Sequence, residues 1–303
     1  MPDGTVNEAE NSSAFLRDIE ESDQHIVDTL IAERCPSFVT HWSWPLTRRV
    51  LYKMLGYARA REMADTLMTL NGRESFDYLA RELDVQLDIN HLDRLPERGR
   101  CVVAANHPTG LADGVAVWDA LIQRRKDVVF FANADAIRVN PLFQDAIIPI
   151  EWVADKRSPA KTRETLKRAS EAFEAEKCVV IFPSGKLAKK VDGVLTEQAW
   201  FPTVVSLARK QGAPIVPMNV RAENSRLFYR LSEINGELRD ITLFHELLNK
   251  KQARFELTLG KTIPTYSLMG DATQVTEALK RHVSHTLGEN PDADFGTQAR
   301  THS

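Results

Sequence analysis

Asn106-His107-Pro108-Thr109-Gly110-Leu111-Ala112-Asp113 sets a histidine and an aspartate six positions apart across a Pro/Gly turn. An apolar run, Cys101-Val102-Val103-Ala104-Ala105, leads into this segment, and a helix-like run, Gly114 to Leu121, leads out of it. The histidine is thus expected at the end of a buried strand and the aspartate at a helix start, at the sheet edge where α/β active sites lie. A histidine there can take a proton from a hydroxyl or from water, because an unperturbed imidazole titrates close to neutral pH. A carboxylate behind it can hold the useful tautomer and stabilise the imidazolium. An aspartate at a helix start is also an ordinary cap, so the spacing alone leaves catalysis and capping both open.

A second apolar run, Cys178-Val179-Val180-Ile181-Phe182, ends in Pro183-Ser184-Gly185-Lys186. A third, Ala213-Pro214-Ile215-Val216-Pro217-Met218-Asn219-Val220, carries a proline at its middle. Ser184 reads either as a turn hydroxyl bonded to nearby backbone or, with Gly185, as part of a polar concavity for a phosphate or an oxyanion. Lys186 either meets an anionic acceptor group or points to solvent with Lys189 and Lys190. A nucleotide reading of Gly185-Lys186 fails, since a phosphate-binding loop needs glycine where Val180 stands; Gly260-Lys261-Thr262 fails likewise at Phe255. No G-x-S-x-G nucleophile elbow occurs.

The order NHP…D, then FPSG, then APIVPM resembles the glycerolipid acyltransferase superfamily over roughly residues 75–265. That superfamily usually shows four residues between His and Asp, and FPEG in the second motif. Here five residues separate His107 from Asp113, and Ser184 stands where Glu is usual. Both departures are similar to the bacterial haemolysin-like and ornithine-lipid acyltransferases, as are Leu207 to Pro217 and Asn224-Ser225-Arg226-Leu227-Phe228-Tyr229, although that subgroup usually has Glu at the position of Lys186. The resemblance implies transfer of an acyl chain from acyl-CoA or acyl-carrier protein to the hydroxyl of a lysolipid, of lysophosphatidic acid or lyso-ornithine-lipid type. It gives His107 the role of general base and Asp113 that of its orienting acid, with no covalent acyl-enzyme and no further cofactor. It assigns Asn106, Thr109, Gly110, Pro183, Ser184, Gly185 and Lys186 to substrate binding. Lys156 and Arg157 are nearest to a phosphate-binding loop between the motifs.

The chain has 303 residues, 43% hydrophobic and 27% charged, the balance of a globular protein. Its net charge of −3 argues against a general nucleic-acid binder. No run of about 18 apolar residues is present to span a membrane. Three widely spaced cysteines, Cys35, Cys101 and Cys178, and a motif with His107 as its single histidine among scattered acids argue against a disulfide framework or a metal site. A cytoplasmic protein peripheral to the inner face of the cell membrane is expected. Residues 1–12 are expected to be disordered, 13–84 helical, 85–287 an α/β domain, and 288–303 a flexible tail. Strands expected near Val85–Leu87, Cys101–Ala105, Val128–Ala132, Ile147–Ile150, Val179–Phe182, Pro214–Val220 and Arg254–Leu259 alternate with helices. The fold class is therefore α/β, a mostly parallel sheet flanked by helices, preceded by a helical region.

Two charged features bear on partners. Lys156, Arg157, Lys161, Arg163, Lys167 and Arg168 surround only Asp155 and Glu164. They form either a solvated helix face or an attractor for phosphate, carrier protein or anionic headgroups. Phe38, Trp42 and Trp44 precede an expected helix from Leu46 to about Leu70. Leu46, Val50, Met54 and Leu55 lie on one side of it, and Arg48, Arg49, Lys53, Arg59 and Arg61 lie around it. This segment suits a bilayer interface or packs on the core. Competing readings are a thioester or ester hydrolase using the same His–Asp pair, and a non-catalytic lipid-binding protein.

Overall fold

Strand β2 (Cys101–Ala105) is apolar at every position because both of its faces are covered. Cys101, Val103 and Ala105 pack into one cluster with the helices Gly72–Leu83 and Leu111–Leu121. Val102 and Ala104 pack into another, with the helices Pro159–Glu174, Thr203–Gln211 and Ala272–Arg281. The computed structural model describes residues 25–151 and 158–296. Within it β1 (Gln86–Asn90), β3 (Val128–Asn133), β4 (Ile147–Ile150), β5 (Cys178–Ile181), β8 (Ile215–Arg221) and β9 (Arg254–Leu259) complete one seven-stranded sheet with β2. The strand order is β1-β9-β8-β2-β5-β3-β4, and only β8–β9 pair antiparallel. The expected α/β class with a mostly parallel sheet is the one observed.

The connections locate the functional edge. From the end of β2 the chain runs through Leu111–Leu121 to β3, on the far side of β5; from the end of β5 it returns through Thr203–Gln211 to β8, on the far side of β2. The chain therefore leaves neighbouring strands β2 and β5 in opposite directions, which opens a crevice at their carboxyl ends. His107 and Phe182 to Lys186 follow those two ends.

Several elements differ from expectation. The segment from Leu46 to Leu70 is two helices, Trp44–Met54 and Tyr57–Leu67, broken where Gly56 takes φ +70°. Trp44 and Leu55 are core rather than surface: with Val27, Ile31, Cys35, Ala64 and Ile241 they tie the N-terminal helices to the later helical segment. A two-stranded hairpin of β6 (Lys189–Val191) and β7 (Val194–Thr196) was not anticipated, although Asp192-Gly193 is a strong hairpin-turn signal. The tail expected to be flexible is described as far as Gly296 and makes contacts there. Arg94 bonds Pro291 O and pairs with Asp292, Lys261 pairs with Asp294, and Phe295 packs edge-on against His282. The N-terminal stretch expected to be disordered lies outside the described residues, as do Lys156 and Arg157.

Candidate active site

Where β2 ends, the side chain of Asn106 takes over the ladder to β8: its Oδ1 accepts from Val220 N (2.7 Å) and its Nδ2 donates to Val220 O (2.8 Å). This pairing fixes the point from which His107 leaves the sheet. The backbone of His107 is then held on both sides, its N–H donating to Glu197 Oε2 (3.1 Å) and its carbonyl accepting from Ala188 N (3.0 Å). Its ring stacks on Phe182 from the neighbouring strand, with centroids 4.3 Å apart.

Asp113 lies in the first turn of Leu111–Leu121 and is fully buried. Its Oδ2 accepts from Thr109 N (2.8 Å) and Gly110 N (2.9 Å), and its Oδ1 accepts from Thr109 Oγ1 (2.5 Å). His107 Nδ1 lies 3.0 Å from the same Oδ2, within ion-pair range but not aligned as a hydrogen bond. Asp113 is therefore both a helix-start acid and the neighbour of the histidine ring. Gly110 makes the turn possible: φ is +92°, and a Cβ there would come within 2.8 Å of Leu187 Cδ2.

Pro108 has no N–H, so every backbone N–H from His107 to Gly110 is accepted by one of two buried carboxylates, Glu197 or Asp113. Glu197 was not anticipated from sequence, being distant in the chain and just past the hairpin. Its Oε1 also accepts from the Trp200 indole (3.2 Å), and the Ser184 hydroxyl lies within reach. Burial pushes its carboxyl up, and the His107 N–H, Ser184, the His107 charge and Trp200 offset this only in part.

The expected substrate-binding residues divide. Polar groups of Asn106, Thr109 and Gly110 are engaged by Val220 and Asp113. Ser184 is buried, its hydroxyl donating to Lys186 O (2.7 Å), while Gly185 N bonds Phe182 O and Pro183 O accepts from Phe201 N. Lys186 itself is exposed. Within the basic cluster Lys161 pairs with Glu151, Lys167 with Glu171 and Arg168 with Glu164, which makes much of it a locally neutralised surface. Among the described residues no group of His, Cys, Asp and Glu could hold a metal ion.

The fold and this crevice define an α/β protein with a histidine–aspartate pair at its switch point. The chain belongs to the acyltransferase family, whose model, described as Acyltransferase, matches residues 29–277. It is similar to a lyso-glycine lipid O-acyltransferase of Phocaeicola vulgatus, 27% identical over 60% of this chain and 66% of that protein. A lyso-glycine lipid O-acyltransferase of Bacteroides thetaiotaomicron is 23% identical over 60% of this chain and 67% of its own length. The chain thus spans about two thirds of the length of these relatives. Among solved structures, the 1-acyl-sn-glycerophosphate (LPA) acyltransferase PlsC of Thermotoga maritima aligns with TM-score 0.46 and 13% identity, covering 88% of this chain and 95% of that one.

Proposed function

We propose that this protein is an O-acyltransferase that moves a fatty acyl chain from an acyl-CoA or acyl-carrier-protein thioester to the hydroxyl of a lysolipid. The observation that carries the reading is the His107–Asp113 pair at the switch-point crevice of a chain in the acyltransferase family. Nδ1 faces the buried Asp113, so Nε2 is the nitrogen left to meet the acceptor. The acceptor O–H gives its proton to Nε2 as its oxygen attacks the thioester carbonyl carbon. The resulting intermediate collapses with breakage of the C–S bond, and the departing thiolate takes the proton back from the imidazolium. The products are an ester and a free thiol, and no acyl-enzyme forms. A slight turn of the ring on Phe182 would align Nδ1–H with Asp113 as the imidazolium develops.

The acceptor we favour is an amino-acid lysolipid with a carboxylate headgroup, in keeping with the names of the two relatives. Ser184 and Gly185 frame the acceptor side of the crevice, and exposed Lys186 suits an anionic headgroup. The lipid surface is met by the stripe Trp42, Leu46, Val50 and Met54. These residues recur every four positions, are 61–86% exposed, and lie beside Arg48, Arg49 and Lys53. Among the described residues no helix is long and apolar enough to cross a membrane.

The test is thiol release from acyl-CoA and from acyl-carrier protein, with and without lyso-glycine lipid, lyso-ornithine lipid or lysophosphatidic acid. Acceptor-dependent release that falls about 10³-fold in His107→Ala is the expected result. Release without acceptor would instead identify a hydrolase.

A further inference from the structure

The β6–β7 hairpin grips His107 with both legs. Ala188, ahead of β6, donates to the histidine carbonyl, and Glu197, just after β7, accepts from the histidine N–H. Gln198 Nε2 ties the two legs together by donating to Leu187 O (2.6 Å). We propose that Glu197 is a positioning residue of the His107 site, holding the histidine backbone in place and supplying a second buried negative charge beside Asp113. This rests on the reading of His107 as the general base.

A backbone N–H and an indole need only an acceptor oxygen, which a glutamine could offer one of them without the cost of burying a charge. The carboxylate present is 8% exposed, and its direct hydrogen-bond donors, His107 N and Trp200 Nε1, are both neutral. The charged group whose field favours its ionised form is His107, and an ionised Glu197 would face the positive charge that develops on the ring during transfer. The groups facing Glu197 are thus His107, Ser184 and Trp200, with Asp113 across the same loop. Ser184 occupies the position where the superfamily motif usually has an acid, and Glu197 places a carboxylate beside it from a different part of the chain.

Glu197→Gln separates acceptor from charge, and Glu197→Ala removes both. The full chain is measured for kcat and donor KM in acyl transfer, and for hydrogen exchange of the His107 amide by NMR. In Glu197→Ala the His107 amide loses its protection while the sheet amides keep theirs. Its kcat falls about 100-fold, with donor KM within about threefold. In Glu197→Gln the amide stays protected and kcat falls about tenfold. The proposal is overturned if Glu197→Ala keeps the amide protected, if protection is lost uniformly across the protein, or if both variants keep wild-type kcat. Absence of transfer by the wild type would defeat the acyltransferase reading, whereas the exchange measurement would still decide whether Glu197 holds His107.

Discussion

Glu197 and Glu246 are both shielded from water, 8% and 1% exposed, yet their surroundings move their acidities in opposite directions. At Glu246 burial is the largest single influence and raises the carboxyl, but the Ser225 hydroxyl and N–H together with Lys250 outweigh it. Oε1 accepts from Ser225 Oγ (2.6 Å), and Oε2 accepts from Ser225 N (2.8 Å) and Lys250 Nζ (3.0 Å). Ser225 in turn caps the helix Arg226–Ile234 through Phe228 N. Glu246 therefore has a fixed cation and a structural task. Glu197 has neutral donors and a histidine, so burial wins and its charge is coupled to whatever His107 does. A buried acid with its own lysine is finished chemistry; one facing a histidine still has a charge to use.

Asp113 tests that distinction at its most demanding point, because it is both a scaffold acid and the neighbour of the His107 ring. Asp113→Asn would turn an amide N–H₂ toward donors it must accept from, and would remove the charge behind His107. The expected outcome in the acyl-transfer assay is a fall in kcat of about 10³-fold or more. A loss under tenfold would place Asp113 with the structural acids.

Lys250→Met probes the other side. It leaves Glu246 buried without its cation, and removes bonds to Glu246 O and Asn249 Oδ1 as well. Urea unfolding should show a loss of about 3–5 kcal/mol. Activity per folded molecule should stay within about twofold of wild type, since the hydrogen bonds of this ion pair run to Ser225 and Asn249 and not to the His107 loop. A selective loss of kcat with little loss of stability would break the comparison. Gly110→Ala lies between the two regions. Positive φ and the approach to Leu187 should cost about 1–3 kcal/mol in the same unfolding experiment, with kcat reduced because Leu187 sits on the hairpin that grips His107.

The legible parts of the molecule are those in which adjacent residues signal together. The bounds of Cys101–Ala105 are legible because an uninterrupted apolar run between turn residues has few alternatives, and those of Arg254–Leu259 because its polar and apolar residues alternate. The His107–Asp113 spacing was legible because the turn and the helix start lie between them in the chain. Glu197 was not, since its meaning comes from a hairpin that folds back across the crevice, and a lone acid after β7 resembles any loop acid. The pairing of Asn106 with β8 is hidden for a related reason. A polar residue after a strand resembles a ligand-binding group until the neighbouring strand is seen to engage both of its polar atoms.

The smallest effect follows from the opposed acidities themselves. Glu246 has a depressed carboxyl in the folded state, so its contribution to stability is complete above the unfolded glutamate value and is lost as pH falls through the folded one. Glu197 has a raised carboxyl, so the folded state binds its proton more tightly than the unfolded chain does. Between those two values its contribution shrinks as pH rises, and above the folded value the ionised carboxylate is a net cost to the fold. Urea unfolding of wild type and Glu197→Gln across acid to neutral pH should therefore show the variant gaining stability relative to wild type as pH rises. Glu246→Gln should show the reverse, falling furthest behind wild type at neutral pH and converging with it in acid. If the two difference curves have the same slope, the two glutamates are held alike, and the charge at Glu197 is not available to His107.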